Sequence, residues 1–197
     1  MGKSVLWGIV FLLFVSFVYF FTSQMMGGGG SGQLSIVAKL PEFSLQTADG
    51  ELFERKDLNE KISVVNFFYT KCPDSCTEQN AQIEELQKTF AHMQKVQFLS
   101  ISIQPEADSV AALKRYSEKF GKAGKTRIWL TGEPEKVKQL IENGFLLSMK
   151  NWPEKYSKKF VLLDDEARIC GFYASGSPEI LNILKSHIWE LSGKAGE

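Results

Sequence analysis

The hydrophobic residues of this chain fall into short blocks whose spacing predicts alternating strands and helices. Two nearly continuous β-branched and aromatic blocks, Ile62–Tyr69 and Val96–Ile103, predict strands that are buried on both faces. Apolar residues at helical spacing, with capping residues or proline near their starts, predict four helices. These are Glu78–Phe90, Ser109–Phe120, Pro134–Asn143 and a last helix from Ser177 through Trp189.

Shorter strands complete the pattern. Phe43–Thr47 and Leu52–Glu54 flank an Asp-Gly turn, which predicts a hairpin, and Phe160–Leu163 and Ile169–Tyr173 predict a second one. Ile128–Leu130 predicts a further short strand. This order predicts an α/β protein with a thioredoxin-like fold, in which helices flank a central mixed sheet. An N-terminal hairpin and an inserted β-α unit are added to it.

An uncharged apolar segment, Ser4–Thr22, precedes the predicted domain. Its length corresponds to about 28 Å of helix, close to the hydrocarbon thickness of a bilayer, so we expect a transmembrane anchor. Lys3 precedes it and no Lys or Arg follows until Lys39, which favours residues 1–3 as a cytoplasmic tail and an extracytoplasmic domain.

The remaining boundaries follow from composition. The glycine-rich residues 23–40 predict a flexible tether, residues 41–191 the globular domain and residues 192–197 a tail. A cleaved signal peptide is the competing interpretation of the apolar segment, but no small-x-small site follows it. The segment is not rich in arginine, as a mitochondrial transit peptide would be, so we expect a bacterial cell membrane as the location.

Charge and cysteine content narrow the chemistry. The chain has 23 basic and 23 acidic residues, so it offers no basic field for nucleic acid. Three cysteines are too few for a disulfide-stapled scaffold. Cys72 and Cys76 lie four residues apart, which indicates a redox pair or a soft-metal pair. Cys170 falls in a predicted strand, where a buried small residue is the simplest interpretation.

The segment from Cys72 to Cys76 lies where a predicted strand turns into a helix. The helix N-terminus favours negative charge and should therefore increase the thiolate fraction. Because helical residues four apart are too distant for a disulfide, Cys72 must precede the regular helix if the pair is to close. Two thiolates at this spacing can also hold one Cu(I), whereas a structural zinc site would need more ligands.

The run FFYTKCPDSC at Phe67–Cys76 resembles the Sco/SenC family, the copper-handling assembly factors of cytochrome c oxidase. The resemblance extends from about Pro41 to Leu191 and includes SISIQPEAD at Ser100–Asp108. It implies a thioredoxin-like fold that binds copper through two Cys and one His. It also implies a membrane-bound partner, the oxidase subunit that carries the copper A site, with another thiol or copper protein as the alternative. Members of the family mature the copper A site by delivering copper or by reducing its cysteines.

The chain departs from the family pattern at two positions. Tyr156 stands where the family has its ligand His, and Gln104 stands where it has Asp. We expect neither remaining histidine to replace the ligand, because His92 falls at a helix end and His187 on the solvated face of the last helix. Met149 could supply a thioether, but a packing role is expected. We therefore expect an intact dithiol–disulfide couple at Cys72 and Cys76, which can still hold Cu(I), and weak or absent Cu(II) binding. A site without any cofactor is the alternative.

Other functions remain open on the sequence alone. A thiol–disulfide oxidoreductase and a copper chaperone both fit the resemblance. A general extracytoplasmic reductase would carry CxxC and a proline directly before the late hairpin, where the chain has Ser157-Lys158-Lys159. A non-catalytic redox sensor is an alternative from a different class. A peroxidase is disfavoured, because the residues before Cys72 do not match the peroxiredoxin pattern.

Overall fold

The computed structural model describes residues 7, 14–18, 34–72, 75–120, 126–150, 152–153 and 158–194. Chain contacts separate Met1–Gln33 from a compact unit, Leu34–Glu197. In the first unit, Trp7 and residues 14–18 are helical and exposed, and most of the predicted anchor lies outside the described residues. None of the helices in the described part is both long and apolar enough to cross a bilayer.

The described residues form one mixed sheet in the order β1-β8-β7-β4-β5-β6-β2-β3. β4 pairs in parallel with β5, β5 in parallel with β6, and the remaining neighbours are antiparallel. The predicted α/β fold with a central mixed sheet is confirmed. The strands are β1 Ala38–Lys39, β2 Ser44–Thr47, β3 Leu52–Glu54, β4 Ile62–Phe68, β5 Val96–Ser102, β6 Arg127–Thr131, β7 Lys159–Leu163 and β8 Arg168–Ala174.

In the described part of Leu34–Glu197, four α-helices follow the predicted order, with differences at their ends. They are α1 Ser75–Thr89, α2 Val110–Glu118, α3 Pro134–Gln139 and α4 Pro178–Lys194, and a short 3₁₀-helix covers Arg55–Leu58. The predicted helix from Pro134 to Asn143 continues after α3 as a π-helix, Leu140–Gly144. Both helix types place Leu140 and Ile141 in the core, so the apolar pattern does not distinguish them.

Strand β1 has no counterpart in the sequence analysis. It lies within the range predicted as a tether, and Ala38 and Lys39 pair with Ile169 and Arg168 of β8. The Leu40 N–H also donates to the Ala167 carbonyl at 3.0 Å. Two residues are too few to show strand alternation, so only the pairing with β8 reveals this element.

The two largest hydrophobic clusters of the described residues lie on the two faces of the sheet. Because side chains alternate along a strand, Val65 and Phe67 of β4 contribute to the first core cluster and Ile62 and Val64 to the second. The first core cluster also receives side chains of α3 and the π-helix, such as Val137 and Leu140. The second core cluster contains side chains of α1 and α4, among them Ile83, Leu86, Leu184 and Ile188.

Candidate functional site

Cys72 lies in the loop between β4 and α1, at the carboxyl end of a central strand. This is the edge of an open α/β sheet where reactive groups collect. Cys72 is half-buried and packs against the first core cluster, and its N–H donates to the Tyr69 carbonyl at 3.1 Å. It takes part in a disulfide, whereas Cys170 is a free thiol. Cys76 is the second residue of α1, and its side chain lies outside the described part of the chain.

A buried carboxylate holds the loop that leads into Cys72. Asp108 is 1% exposed and accepts hydrogen bonds from the Thr70 N–H at 3.1 Å and from Thr70 Oγ1 at 2.5 Å. Ser102 Oγ, at the end of β5, donates to the same carboxylate at 2.6 Å. Asp108 therefore links the carboxyl ends of the adjacent parallel strands β4 and β5. Its partner after β4, Thr70, is two residues before Cys72.

Sequence reasoning missed this role of Asp108. From the sequence, Asp108 is named only as the last residue of the motif Ser100–Asp108. The next residue, Ser109, caps α2 and accepts from the Ala112 N–H. One signal was present, because Thr70 and Asp108 both follow buried parallel strands whose carboxyl ends meet at one edge. The distance of 38 residues between them hides the contact from any local pattern.

Aromatic side chains form the packed base next to Cys72. Phe67, the second-last residue of β4, is fully buried and meets the Phe145 ring edge-on at 5.2 Å. The Trp152 ring centroid lies 6.1 Å from that of Phe67. Met149 is half-buried against the same first core cluster, in line with the packing role expected for it. Tyr156, at the expected His position, lies outside the described residues.

The two histidines occupy other parts of the fold. His92 is exposed just beyond the end of α1. His187 is half-buried, and its Nδ1 lies 2.6 Å from the Tyr173 hydroxyl, so its predicted place on the solvated face of the last helix is wrong. Tyr173 belongs to the second core cluster, on the sheet face opposite to the one that Cys72 packs against. In the described part of the chain, no three His, Cys, Asp or Glu side chains are grouped to hold a metal.

Cys170 is a buried strand residue, as predicted. It packs in the second core cluster, and its thiol donates to the Arg168 carbonyl at 3.6 Å. Burial, with a smaller contribution from the nearby Asp164 carboxylate, raises the pKa of the Cys170 thiol to about 11. An uncharged, buried thiol on the far face of the sheet does not join the chemistry of Cys72.

A buried arginine lies beneath the first half of α1. Arg127 is 4% exposed and donates to Asn80 Oδ1 at 2.9 Å, to Asn66 Oδ1 at 3.1 Å and to Ser100 Oγ. Its guanidinium stacks over the Trp129 ring with the carbon 4.0 Å from the centroid. Burial lowers the pKa of Arg127 to about 9. The network ties β4, β5, β6 and α1 together, and sequence reasoning did not single it out.

Comparison with known proteins gives a consistent result. The SCO1/SenC family model matches residues 34–187. Protein SCO1 homolog 1, mitochondrial, of Arabidopsis thaliana is 28% identical over 87% of this chain, which spans 57% of that protein. A SCO2-like protein of Rickettsia conorii is 30% identical, with 74% of this chain and 75% of that protein covered.

Solved structures show the same fold. A SCO1/SenC family lipoprotein from Bacillus anthracis is 26% identical, with a TM-score of 0.65 over 76% of this chain and 94% of that chain. The Arabidopsis thaliana ScoI structure with copper bound is 23% identical, with a TM-score of 0.66 over 78% and 99%. BsSco, a member of the Sco family of cytochrome c oxidase assembly proteins, is 19% identical, with a TM-score of 0.70 over 81% and 96%. At these identities the last two structures support the fold alone.

Proposed function

Because this chain belongs to the SCO1/SenC family, we propose that it matures the copper A site of cytochrome c oxidase through Cys72 and Cys76. Its chemistry is thiol–disulfide exchange, with Cu(I) as cargo of the reduced pair. One observation carries the proposal: Cys72, at the junction of a central strand and α1, takes part in a disulfide, whereas Cys170 does not. With three cysteines in the chain, this favours Cys76 as the intrachain partner.

Similar proteins support both parts of the proposal. BsSco is a cytochrome c oxidase assembly protein in which a disulfide switch was identified. Sco proteins of Arabidopsis thaliana, Bradyrhizobium japonicum and yeast have been solved with copper bound. A dithiol that closes to a disulfide and opens to hold a soft cation would serve both activities at one place.

The exchange step needs no group beyond the cysteines of the two proteins. One thiolate of the reduced pair attacks a sulfur of the partner's disulfide, which forms a mixed disulfide and releases one partner thiolate. The second cysteine of the pair then attacks its neighbour's sulfur and releases the other partner thiolate. The pair ends as a disulfide, the partner as a dithiol, and two electrons have passed to the partner. The N-terminus of α1 favours the thiolate that starts the reaction.

The donor set fits Cu(I) better than Cu(II). Two sulfurs suit a soft monovalent ion, and Cu(II) sites with Cys generally also use imidazole. Tyr156 stands at the position of the family's His, and His187 is already bonded to Tyr173. A neutral phenol is a weak ligand, so Cu(II) binding should be weak or absent. When bound, Cu(I) would be held between the two thiolates and would offset one of their two negative charges.

We also propose that Ser4–Thr22 anchors the chain in a bacterial membrane, with the N-terminus inside and the domain on the extracytoplasmic face. The support is the uncharged sequence and the flanking Lys3. In cells that express the full chain, membrane fractionation followed by protease treatment of intact spheroplasts tests this. We expect the chain in the membrane fraction and the domain to be digested; a chain recovered in the cytosolic fraction would contradict the anchor.

The metal part is tested by anaerobic titration of the reduced full chain with Cu(I) and, separately, Cu(II), in competition with a chelator. We expect one Cu(I) per chain, lost in the Cys72→Ser/Cys76→Ser double variant and retained in Cys170→Ser, the matched control. Tight Cu(II) binding would contradict the interpretation of Tyr156. If neither ion is bound, copper cargo is refuted and exchange remains.

The exchange part is tested with the oxidised copper A domain of an oxidase subunit as substrate. The reduced chain should generate free thiols in that domain, and the double variant should not. An oxidised unrelated protein, such as insulin, is the control for a general reductase. Equal rates on both substrates would favour the general reductase over an assembly factor.

A further inference from the structure

The contacts of Asp108 give it a role that its burial alone does not explain. Its carboxylate accepts three hydrogen bonds, two from Thr70 and one from Ser102. Thr70 is two residues before Cys72, whose own N–H is bonded back to Tyr69. Asp108, which follows β5, therefore holds the loop before Cys72 through both the backbone N–H and the side chain of Thr70.

The segment that carries Asp108 is itself rigidly placed. The Asp108 N–H donates to the Gln104 carbonyl at 2.9 Å, and the Gln104 N–H donates to Ser102 Oγ at 3.1 Å. Ser102 Oγ in turn donates to Asp108, so a closed ring of hydrogen bonds fixes the carboxylate relative to the end of β5. Ile103, the next residue, donates its N–H to the Phe68 carbonyl at 2.8 Å and extends the pairing with β4.

We propose that Asp108 is a positioning residue that holds the Thr70–Cys72 loop in the geometry in which Cys72 closes its disulfide. This inference rests on the proposed redox function of Cys72 and Cys76. A disulfide tolerates little variation in the separation of its two cysteines. Restricting the loop in advance lowers the entropy that ring closure must remove, which raises the equilibrium constant for the disulfide over the dithiol. Asp108 acts through Thr70 and takes no part in electron transfer.

The equilibrium that reports this role is exchange with glutathione. Two molecules of reduced glutathione convert the Cys72 disulfide into two thiols and become one molecule of oxidised glutathione, so electrons and protons balance. In Asp108→Asn, the carboxylate becomes a neutral amide, so the hydrogen bonds from Thr70 and Ser102 lose their charge assistance and become about half as strong. We expect the equilibrium constant for disulfide formation to fall about tenfold, because closure must then order about one more residue of the loop at a cost of about 1–2 kcal/mol.

Two Thr70 variants extend the test and remain available if Asp108→Asn fails to fold. Thr70→Val keeps the backbone N–H and the shape but removes the hydroxyl donor, so we expect a smaller fall, about three- to fivefold. Thr70→Ser keeps both donors and should stay within twofold of the wild-type chain. Recovery in the conservative variant separates positioning from a general effect of altering the loop.

Asp164→Asn is the matched control. Asp164 is 5% exposed and also accepts three hydrogen bonds, from the Glu166 N–H, the Arg168 N–H and Arg168 Nε, but it lies in the turn between β7 and β8. Asp164→Asn should lower the free energy of unfolding and leave the glutathione equilibrium unchanged. A merely structural Asp108 would behave in the same way.

The experiment titrates each full-length chain in glutathione buffers of graded ratio and counts free thiols after acid quenching and alkylation. Unfolding by urea is measured alongside. The proposal is supported if the equilibrium constant for disulfide formation falls about tenfold in Asp108→Asn and severalfold in Thr70→Val, and does not change in Asp164→Asn. Loss of unfolding stability in Asp108→Asn and Thr70→Val without a shift would overturn it while leaving the proposed function intact. A wild-type chain that does not equilibrate with glutathione would overturn both.

Discussion

The buried guanidinium of Arg127 lies beneath α1, and a substitution at one of its hydrogen-bond partners tests how its positive charge is stabilised. Arg127 donates to Asn66 Oδ1 at 3.1 Å, and none of its hydrogen-bond or ring partners in the described residues is a carboxylate. The Glu84 carboxylate favours the charge of Arg127 without bonding to it. The substitution Asn66→Asp is nearly isosteric and would introduce a carboxylate at that contact. We predict that it stabilises the folded state at pH 7, against the usual expectation for a charge placed in a fully buried strand.

The magnitudes decide this sign. Lowering of the Arg127 pKa from 12.5 to about 9 corresponds to about 5 kcal/mol of unfavourable burial of its charged form. A carboxylate oxygen at the present N···O distance would recover about 5 kcal/mol at an effective dielectric constant near 20. Burying the new carboxylate costs several kcal/mol. Gln79 Nε2 is buried without a partner and can turn to donate to it, which recovers about 1–3 kcal/mol. We expect a net gain of about 1–2 kcal/mol.

The gain should depend on pH in a defined direction. Arg127 holds the folded-state pKa of the introduced carboxyl below its unfolded value, so the added stability is present above the unfolded pKa and lost as pH falls through the folded pKa. Urea unfolding at pH 7 and at about pH 3, below the pKa of about 3.9 of an unfolded aspartate, measures this. Asn66→Ala is the control and should cost about 2–4 kcal/mol, because it leaves donors of Arg127 and Ser100 unpaired. If Asn66→Asp is less stable than the wild type at pH 7, or its gain persists undiminished at acid pH, the reasoning is wrong.

Three further predictions concern single side chains. Tyr156→His restores the imidazole at the family's ligand position, so Cu(II) affinity should rise at least tenfold in a chelator competition; unchanged affinity would show that Tyr156 does not mark that position. Cys170, with a pKa of about 11, should react with iodoacetamide in the reduced folded chain at pH 8 at least about 100-fold more slowly than Cys72, as mass spectrometry can measure, and equal rates would contradict its burial. Phe67→Leu removes ring contacts with Phe145 and should lower the free energy of urea unfolding by about 1–2 kcal/mol, and no loss would show that the packing relaxes fully.

Much of the fold follows from local sequence patterns, namely hydrophobic periodicity and turn residues. The continuous apolar block of β4 predicts a strand buried on both faces, and all seven of its residues are buried. The polar turns predict both hairpins, and the strand-to-helix junction predicts where Cys72 lies. Local patterns fail where an element is very short, as for β1, or where two helix types bury the same positions, as for the π-helix after α3.

The sequence by itself determined the family, the order of the elements and the position of Cys72 at the carboxyl end of a central strand, because these depend on periodicity and on a contiguous motif. Only the tertiary structure decided which distant groups meet there. Asp108 reaches Thr70 across 38 residues, and Arg127 reaches Asn66 across 61. Such contacts depend on which strands become neighbours in the sheet and which face each side chain takes. Local periodicity leaves both undetermined, because the same strands could pair in another order with every apolar pattern satisfied.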